Sequence, residues 1–302
     1  MSAVPSASLP RVVSRNGHLI PPEEATLSVL GETLYGAYGV YESIQLWNGT
    51  LFHLADHLQR LAHSAAQIDL ALPGTLPAHE AWIRAVIAAE GVERALIRLV
   101  VLGPDGKNGA LAFAWLTPPR IPTPEMVVRG VGAITYLGER ALPTAKTLNT
   151  LVNTLARRRA QAAGEHEGLL VDREGCVREG ATSNFYVVRD GGLFLPPADT
   201  ILEGVTLQIV VQLAGALGIP VERRPLPLAE RDTWDEAFLT STSRHVLPLV
   251  RLDGHPIGPG TPGPITRELQ RRFEDYFESV VGAPYMERVS ARTASHEKRS
   301  RA

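Results

Sequence analysis

The sequence predicts a mixed α/β (α+β) protein of two domains, a small N-terminal α/β domain followed by a larger mixed α/β domain. Three observations carry this prediction. Short β-rich runs alternate with amphipathic helical runs along the chain. Asn-Gly, Glu-Gly and Asp-Gly-Gly turns repeatedly join the β-rich runs. The stretch TPPRIPTPE at 117–125 holds four prolines in nine residues, a composition that neither a helix interior nor a central strand accepts. The expected division is therefore 1–116 for the small domain, 117–125 for the link, 126–285 for the larger domain and 286–302 for a tail.

The elements follow in order. In GVYESIQLWNGTLF (39–52), two β-rich runs flank Asn48-Gly49, a strong hairpin signal. In HLADHLQRLAHSAAQI (53–68), Leu54, Leu58, Leu61, Ala65 and Ile68 keep helical spacing, and 81–89 reads as another helix. ALIRLVVLG (95–103) is apolar and β-branched enough for a buried strand, GPDGKNG (103–109) is a turn, and ALAFAWL (110–116) returns. After the prolines, MVVRGVGAITYLG (126–138) reads as strand. AKTLNTLVNTLARRRA (145–160) reads as an amphipathic helix with Leu148, Leu151, Val152 and Leu155 on one stripe. GLLVDREGCVREG (168–180) turns at Glu174-Gly175, and SNFYVVRDGGLFLPP (183–197) turns at Asp190-Gly191-Gly192. VTLQIVVQLAGALG (205–218) is a helix stopped by Gly218, and EAFLTSTSRHVLPLVRLDG (236–254) is strand, polar turn and strand. The end, MERVSARTASHEKRSRA (286–302), is charged and aperiodic, which predicts a disordered tail.

Composition narrows the function classes. With 302 residues, 44% hydrophobic and 21% charged, the chain can bury a large core. Thirty basic against thirty-two acidic residues give a net charge of -2, no footprint for nucleic acid or membrane, so small molecules are the expected partners. Cys176 is the only cysteine, which excludes an intramolecular disulfide and a cysteine-based zinc site. The start MSAVPSASLPRVV lacks the plan of a signal peptide, and no apolar run reaches the roughly 20 residues of a membrane span, so a cytoplasmic setting is expected. His53, His57 and His63 include an i, i+4 pair but no HExxH, so no metal site is expected. GPDGKNG lacks the P-loop pattern, and no strand-linked G-x-G-x-x-G marks a dinucleotide fold.

Lys146 poses a chemical question. A cation at a helix start meets the positive end of the macrodipole, where acidic or capping residues are usual. The position makes sense for an amine that must lose its proton to attack a carbonyl, because nearby positive charge and desolvation both lower a lysine pKa. The plainer reading is a lysine that reaches past the helix end to water.

Five stretches bear on the choice: GVYES with LFHLADHLQRLAHSA, then AKTLN, GLLVDREGCVREGATSNFYVV, ILEGVT, and EAFLTSTSRHVLPLV. In this order they resemble the fold type IV pyridoxal-phosphate enzymes, the family of branched-chain aminotransferases, D-amino acid aminotransferases and aminodeoxychorismate lyase. The resemblance spans residues 30–280 and implies that family's two-domain architecture. It implies that Lys146 carries pyridoxal 5'-phosphate and acts as the catalytic base. It sets Glu179 against the pyridine nitrogen, where a carboxylate keeps the ring protonated and electron-drawing; read alone, Glu179 is a turn-flanking glutamate. Asn184 belongs to the same motif and would fix the surrounding strand. The phosphate would fall to Arg60, whose guanidinium offers paired donors, to Val205 and Thr206 behind Gly204 at a helix start, and to Ser241 and Thr242. Read alone, Arg60 is a solvated helix face and the Ser/Thr run a turn. Tyr41 and Arg98 are the substrate-binding candidates. Arg98, inside an apolar strand, needs a partner, either a substrate carboxylate or a structural glutamate.

The activity so implied is transfer of an amino group between an amino acid, of branched-chain or D type, and a 2-oxo acid by ping-pong kinetics, in a homodimer. Branched-chain members read F-E-G-x-R where this chain has YESIQ, and carry a tyrosine where it has Leu151, whereas Arg98 leans toward that branch. GVYES and Ser-Thr-Ser lean toward transamination over the lyase, which would release pyruvate from aminodeoxychorismate. A non-catalytic binding protein of the same fold is the remaining alternative, and Lys146 argues against it.

Overall fold

The computed structural model describes residues 10–29, 31–104 and 109–286. The expected tail beyond Met286, and residues 105–108 of the GPDGKNG turn, lie outside the described residues. The first part of the chain runs β1 (Val13–Arg15), β2 (His18–Ile20), α1 (Glu32–Gly36), β3 (Gly39–Trp47), β4 (Thr50–Leu51), α2 (Leu54–Ala66), α3 (Leu76–Glu90), β5 (Ala95–Leu102) and β6 (Leu111–Thr117). The second runs α4 (Pro124–Arg129), β7 (Val131–Leu137), α5 (Leu151–Ala162), β8 (Glu167–Val171), β9 (Val177–Gly180), β10 (Asn184–Arg189), β11 (Gly192–Leu195), α6 (Val205–Ala216), β12 (Val221–Arg223), β13 (Glu236–Ser241), β14 (His245–Leu252), β15 (His255–Pro256) and α7 (Pro264–Val281).

Two sheets result. The first has the order β2-β1-β6-β5-β3-β4 and is antiparallel at every pairing. The second has the order β12-β11-β10-β13-β14-β7-β8-β9 with β15 on β14, and it is mixed, since β12 on β11 and β7 between β14 and β8 run parallel. Asn48 (φ 50°) and Gly49 (φ 73°) are both left-handed, the backbone a two-residue hairpin turn demands, and they join β3 to β4 as the sequence predicts. Helix α2 buries Leu54, Leu58, Leu61 and Ala65 against the first sheet, the stripe read from its spacing.

Two expectations change. The run MVVRGVGAITYLG is not all strand: Met126–Arg129 lies in α4, which Thr123 caps by accepting from Met126 N at 3.2 Å, with Pro124 at the first helical turn. A proline there lacks only an N–H that the helix would leave unpaired anyway. The helix expected at 145–160 begins only at Leu151, and its leucine stripe is not its buried face. Leu151 and Leu155 are exposed, whereas Ala156 and Ala160 are fully buried against β8. A β-carbon at Gly168 would lie 2.7 Å from Ala156 O, so small residues on both sides bring the helix close to the sheet.

The two sheets are clasped by aromatics. Trp47 and Phe52, at the β3–β4 hairpin, belong to the same apolar core as Phe273, Phe277 and Tyr285 of α7 and the residues beyond it. Phe52 meets the Phe277 ring at 4.8 Å and Trp47 meets Tyr285 at 4.7 Å. Trp47 Nε1 donates to Pro284 O at 3.1 Å and Asn48 Nδ2 to Val281 O at 2.9 Å, so the hairpin's polar atoms are satisfied across the same contact. Phe52→Ala should lower the unfolding free energy by about 3–5 kcal/mol in urea denaturation. Arg84→Ala, which breaks only an exposed pair with Glu80, should stay within about 0.5 kcal/mol.

Candidate active site

Lys146 does not sit in a helix. β4 pairs only with Leu46 and Trp47, which leaves the first half of β3 with an open edge, and the chain at 146–148 fills it. Tyr41 N donates to Lys146 O at 3.0 Å and Leu148 N to Gly39 O at 2.9 Å, while Lys146 N donates to Ser64 Oγ at 3.0 Å. These backbone groups are committed to β3 and cannot close a helical turn, which is why α5 starts later. The macrodipole argument for Lys146 therefore falls, and desolvation takes its place. Burial pushes the Lys146 amine below the usual lysine range, with Tyr41 and Glu42 opposing the shift and Arg60 and Arg140 reinforcing it. Its Nζ lies 4.7 Å from the centre of the Tyr41 ring.

Glu179 ends the short strand β9 and is nearly fully buried. Arg140 Nη1 donates to its Oε1 at 3.3 Å and Leu202 N to its Oε2 at 3.3 Å. Burial raises its pKa by more than Arg140 lowers it. Asn184 Nδ2 donates to Leu202 O at 2.7 Å, so both residues hold the loop that leads into α6. A β-carbon at Gly204 would collide with Asn184 Oδ1, so a larger residue there would displace the side chain that holds the loop. No side chain caps α6, and Val205 and Thr206 in its first turn are buried at the cavity wall. Its first N–H groups have no side-chain cap among the described residues, and the residues that carry them line the cavity.

Arg60, on α2, is gripped from behind. Its Nε and Nη2 donate to the two oxygens of Glu42 at 2.7 and 2.8 Å, and its Nη1 to Glu203 O at 3.2 Å. His57 Nδ1 lies 2.8 Å from Glu42 Oε2. Burial alone would raise the Glu42 pKa, but Arg60 and then His57 outweigh it and hold the carboxyl well below its usual range. Strand alternation explains the layout: Glu42 faces α2, while Tyr41 and Ser43 face the opposite side and line the cavity.

One cavity of about 760 Å³, a size ordinary for a small-molecule site, gathers all ten candidates: Tyr41, Arg60, Arg98, Lys146, Glu179, Asn184, Val205, Thr206, Ser241 and Thr242. They come from both sheets and from sequence separations of up to two hundred residues. Arg98 has no ion pair with a glutamate among the described residues. Its Nη1 donates to Ser43 Oγ at 2.5 Å, and burial lowers its pKa with help from Arg120 and Arg157, both also on the cavity wall.

Sequence reasoning missed Glu42, His57, Arg140, Arg244, Arg120 and Arg157. Only Glu42 carried a local signal: an acidic residue in an apolar strand needs a cation, and Arg60 lies on the helix that follows. His57 shares α2 with Arg60, Arg157 lies on α5, and Arg120, Arg140 and Arg244 reach the site from loops and turns.

Comparison with known proteins agrees with this geometry. A family model described as Amino-transferase class IV matches residues 39–252. The chain is 33% identical to a putative branched-chain-amino-acid aminotransferase of Methanocaldococcus jannaschii over 86% of this chain and 94% of that protein. It is 32% identical to a D-alanine aminotransferase of Bacillus licheniformis over 86% of this chain and 95% of that protein. Among solved structures, the branched-chain amino acid aminotransferase of Escherichia coli superposes with a TM-score of 0.81 at 26% identity, covering 93% of this chain and 97% of that one. The branched-chain aminotransferase of the thermophilic archaeon Thermoproteus uzoniensis, solved with norvaline, does so with 0.77 at 30% identity, covering 90% and 95%. With the family model spanning most of the chain and the fold matching throughout, this protein belongs to the class IV aminotransferases.

Proposed function

We propose that the chain holds pyridoxal 5'-phosphate in this cavity and transfers an amino group between an amino acid, of branched-chain or D type, and a 2-oxo acid. The observation that carries the reading is Lys146: a buried amine held below the usual lysine range, on the wall of a cavity that also presents a buried carboxylate and an uncapped helix start. The residues fit the cofactor's chemistry. The α6 N–H groups at Val205 and Thr206, the outer edge of the Arg60 guanidinium, and the Ser241 and Thr242 hydroxyls make a cup suited to a phosphate dianion. Glu179 suits a ring N–H⁺, since a cation there would offset the burial that now raises its pKa.

When bound, the cofactor supplies an electron sink for the substrate's α-carbon. Lys146 Nζ would hold the aldehyde end and, when free, would act as the base that moves the proton between the substrate Cα and the cofactor's C4′. Tyr41 packs against that amine and restricts where it can move. Asn184 keeps the α6 loop in place. Arg98, desolvated and flanked by like charges, is suited to a substrate carboxylate. A cytoplasmic homodimer completes the reading: Leu137 and Leu151 near the site are 75% and 65% exposed and fit burial by a second copy, and the unpaired Cys176 suits a reducing compartment.

Borohydride should bleach the yellow of the cofactor-loaded protein and leave the reduced cofactor fixed on Lys146, located by peptide mass, and Lys146→Ala should lose both the adduct and turnover; retained turnover would overturn the assignment. Arg98→Leu should raise KM for the amino acid on the order of tenfold to a hundredfold with cofactor affinity unchanged; an unchanged KM removes Arg98 from the substrate site. A panel of L- and D-amino acids with 2-oxoglutarate or pyruvate should give parallel double-reciprocal lines for at least one pair. Pyruvate formed from aminodeoxychorismate without an oxo-acid acceptor would replace transamination with elimination.

A further inference from the structure

Arg244 lines the cavity, yet none of its donors is free. It closes the turn between β13 and β14, where Arg244 N donates to Ser241 O at 3.3 Å. A guanidinium has five N–H donors. Here Nε donates to Ser241 Oγ at 3.0 Å, and Nη1 donates to Glu167 Oε2 at 3.2 Å and His166 Nε2 at 3.2 Å. Nη2 donates to Thr182 Oγ1 at 2.7 Å and Thr182 O at 2.8 Å. The anchor is Glu167, which is fully buried and also accepts from Thr182 Oγ1 and Ser183 Oγ, each at 2.9 Å. The Arg244 charge is therefore offset by a carboxylate, and its hydrogen bonds are committed to two cavity-lining turns, 241–244 and 180–183.

The consequence falls on Ser241. A serine hydroxyl carries one proton and two lone pairs. With Arg244 Nε–H on a lone pair, the proton is left to point elsewhere, and Ser241 lines the cavity. Glu179 and Asn184 flank the other turn, so the same arginine holds both walls in register.

We infer that Arg244 is a positioning residue: it locks the turn at Ser241 to the turn at Thr182 and presets the Ser241 hydroxyl as a donor to the bound phosphate, without touching that phosphate itself. This rests on the reading of the cup given under Proposed function. A simple charge effect is a different hypothesis. It would survive in Arg244→Lys, which keeps the cation but replaces a planar five-donor fork with one point of attachment.

The test uses the full chain freed of cofactor, as wild type, Arg244→Met, Arg244→Lys, Ser241→Ala and the Arg244→Met/Ser241→Ala double variant. Dissociation constants for pyridoxal 5'-phosphate and for pyridoxal are measured on each by absorbance titration. Their ratio isolates the phosphate, and a general loosening of the protein cancels from it. Arg244→Met and Arg244→Lys should each reduce the preference for the phosphorylated ligand by about tenfold, whereas in the Ser241→Ala background Arg244→Met should change it less than about twofold. Equal weakening of both ligands, full retention in Arg244→Lys, or independent effects of the two substitutions would overturn the inference. A wild type with no preference for the phosphorylated ligand would instead overturn the phosphate cup itself, and the role of Arg244 with it.

Discussion

The site depends on how charge is distributed inside a desolvated cavity. Three buried glutamates each take an arginine: Glu42 with Arg60, Glu179 with Arg140, and Glu167 with Arg244. Burying any of these ions alone would cost several kcal/mol; Arg60 more than offsets that penalty at Glu42, whereas Arg140 offsets only part of it at Glu179. Lys146 forms no such ion pair among the described residues, although the Glu42 charge opposes part of its downward shift. Burial favours the neutral form of an amine, the form a nucleophilic lysine requires, and it is the largest cause of the downward shift at Lys146. Paired arginines around an unpaired lysine thus turn a structural penalty into chemical readiness.

Backbone geometry delivers these groups. Strand β3 does two jobs because its side chains alternate: Tyr41 and Ser43 line the cavity, while Glu42 turns toward α2 and fixes Arg60 from the far side. The open edge of the same strand captures the segment at Lys146, so the lysine, the ring beside it and the carboxylate behind Arg60 are all referenced to one strand. The second sheet contributes the Glu179 strand end, the Ser241 turn and the loop into α6, each tied to a neighbour by side-chain hydrogen bonds. Groups on both sheets keep their spacing because Trp47 and Phe52 embed the first sheet in the aromatic core formed with α7. Preorganisation of this kind needs rigid elements beneath the site, and packed aromatics provide them.

Local signals in the sequence identify most elements. Asn48-Gly49 marks a hairpin because it can adopt left-handed backbone at little cost, and the α2 stripe is visible because its burial is one-sided. The two failures have different causes, one long-range and one local. The leucines of 148–155 have helical spacing, but spacing cannot report that β3 has an unfilled edge more than a hundred residues upstream. Met126–Arg129 reads as strand by composition, whereas Thr123 and Pro124 make it a helix start.

By itself, then, the sequence determined the mixed α/β class, most helices and hairpins, and through its motifs ten residues that share one cavity. Only the tertiary structure decided that Lys146 lies on a strand edge, that Arg98 feels the charges of Arg120 and Arg157, and that Arg140 and Arg244 belong to the site at all. The physical reason is range. Turn chemistry and periodicity act over a few residues and leave a local trace. The pairing of buried charges and the desolvation of an amine depend on which distant segments meet, and a linear chain carries no local mark of that.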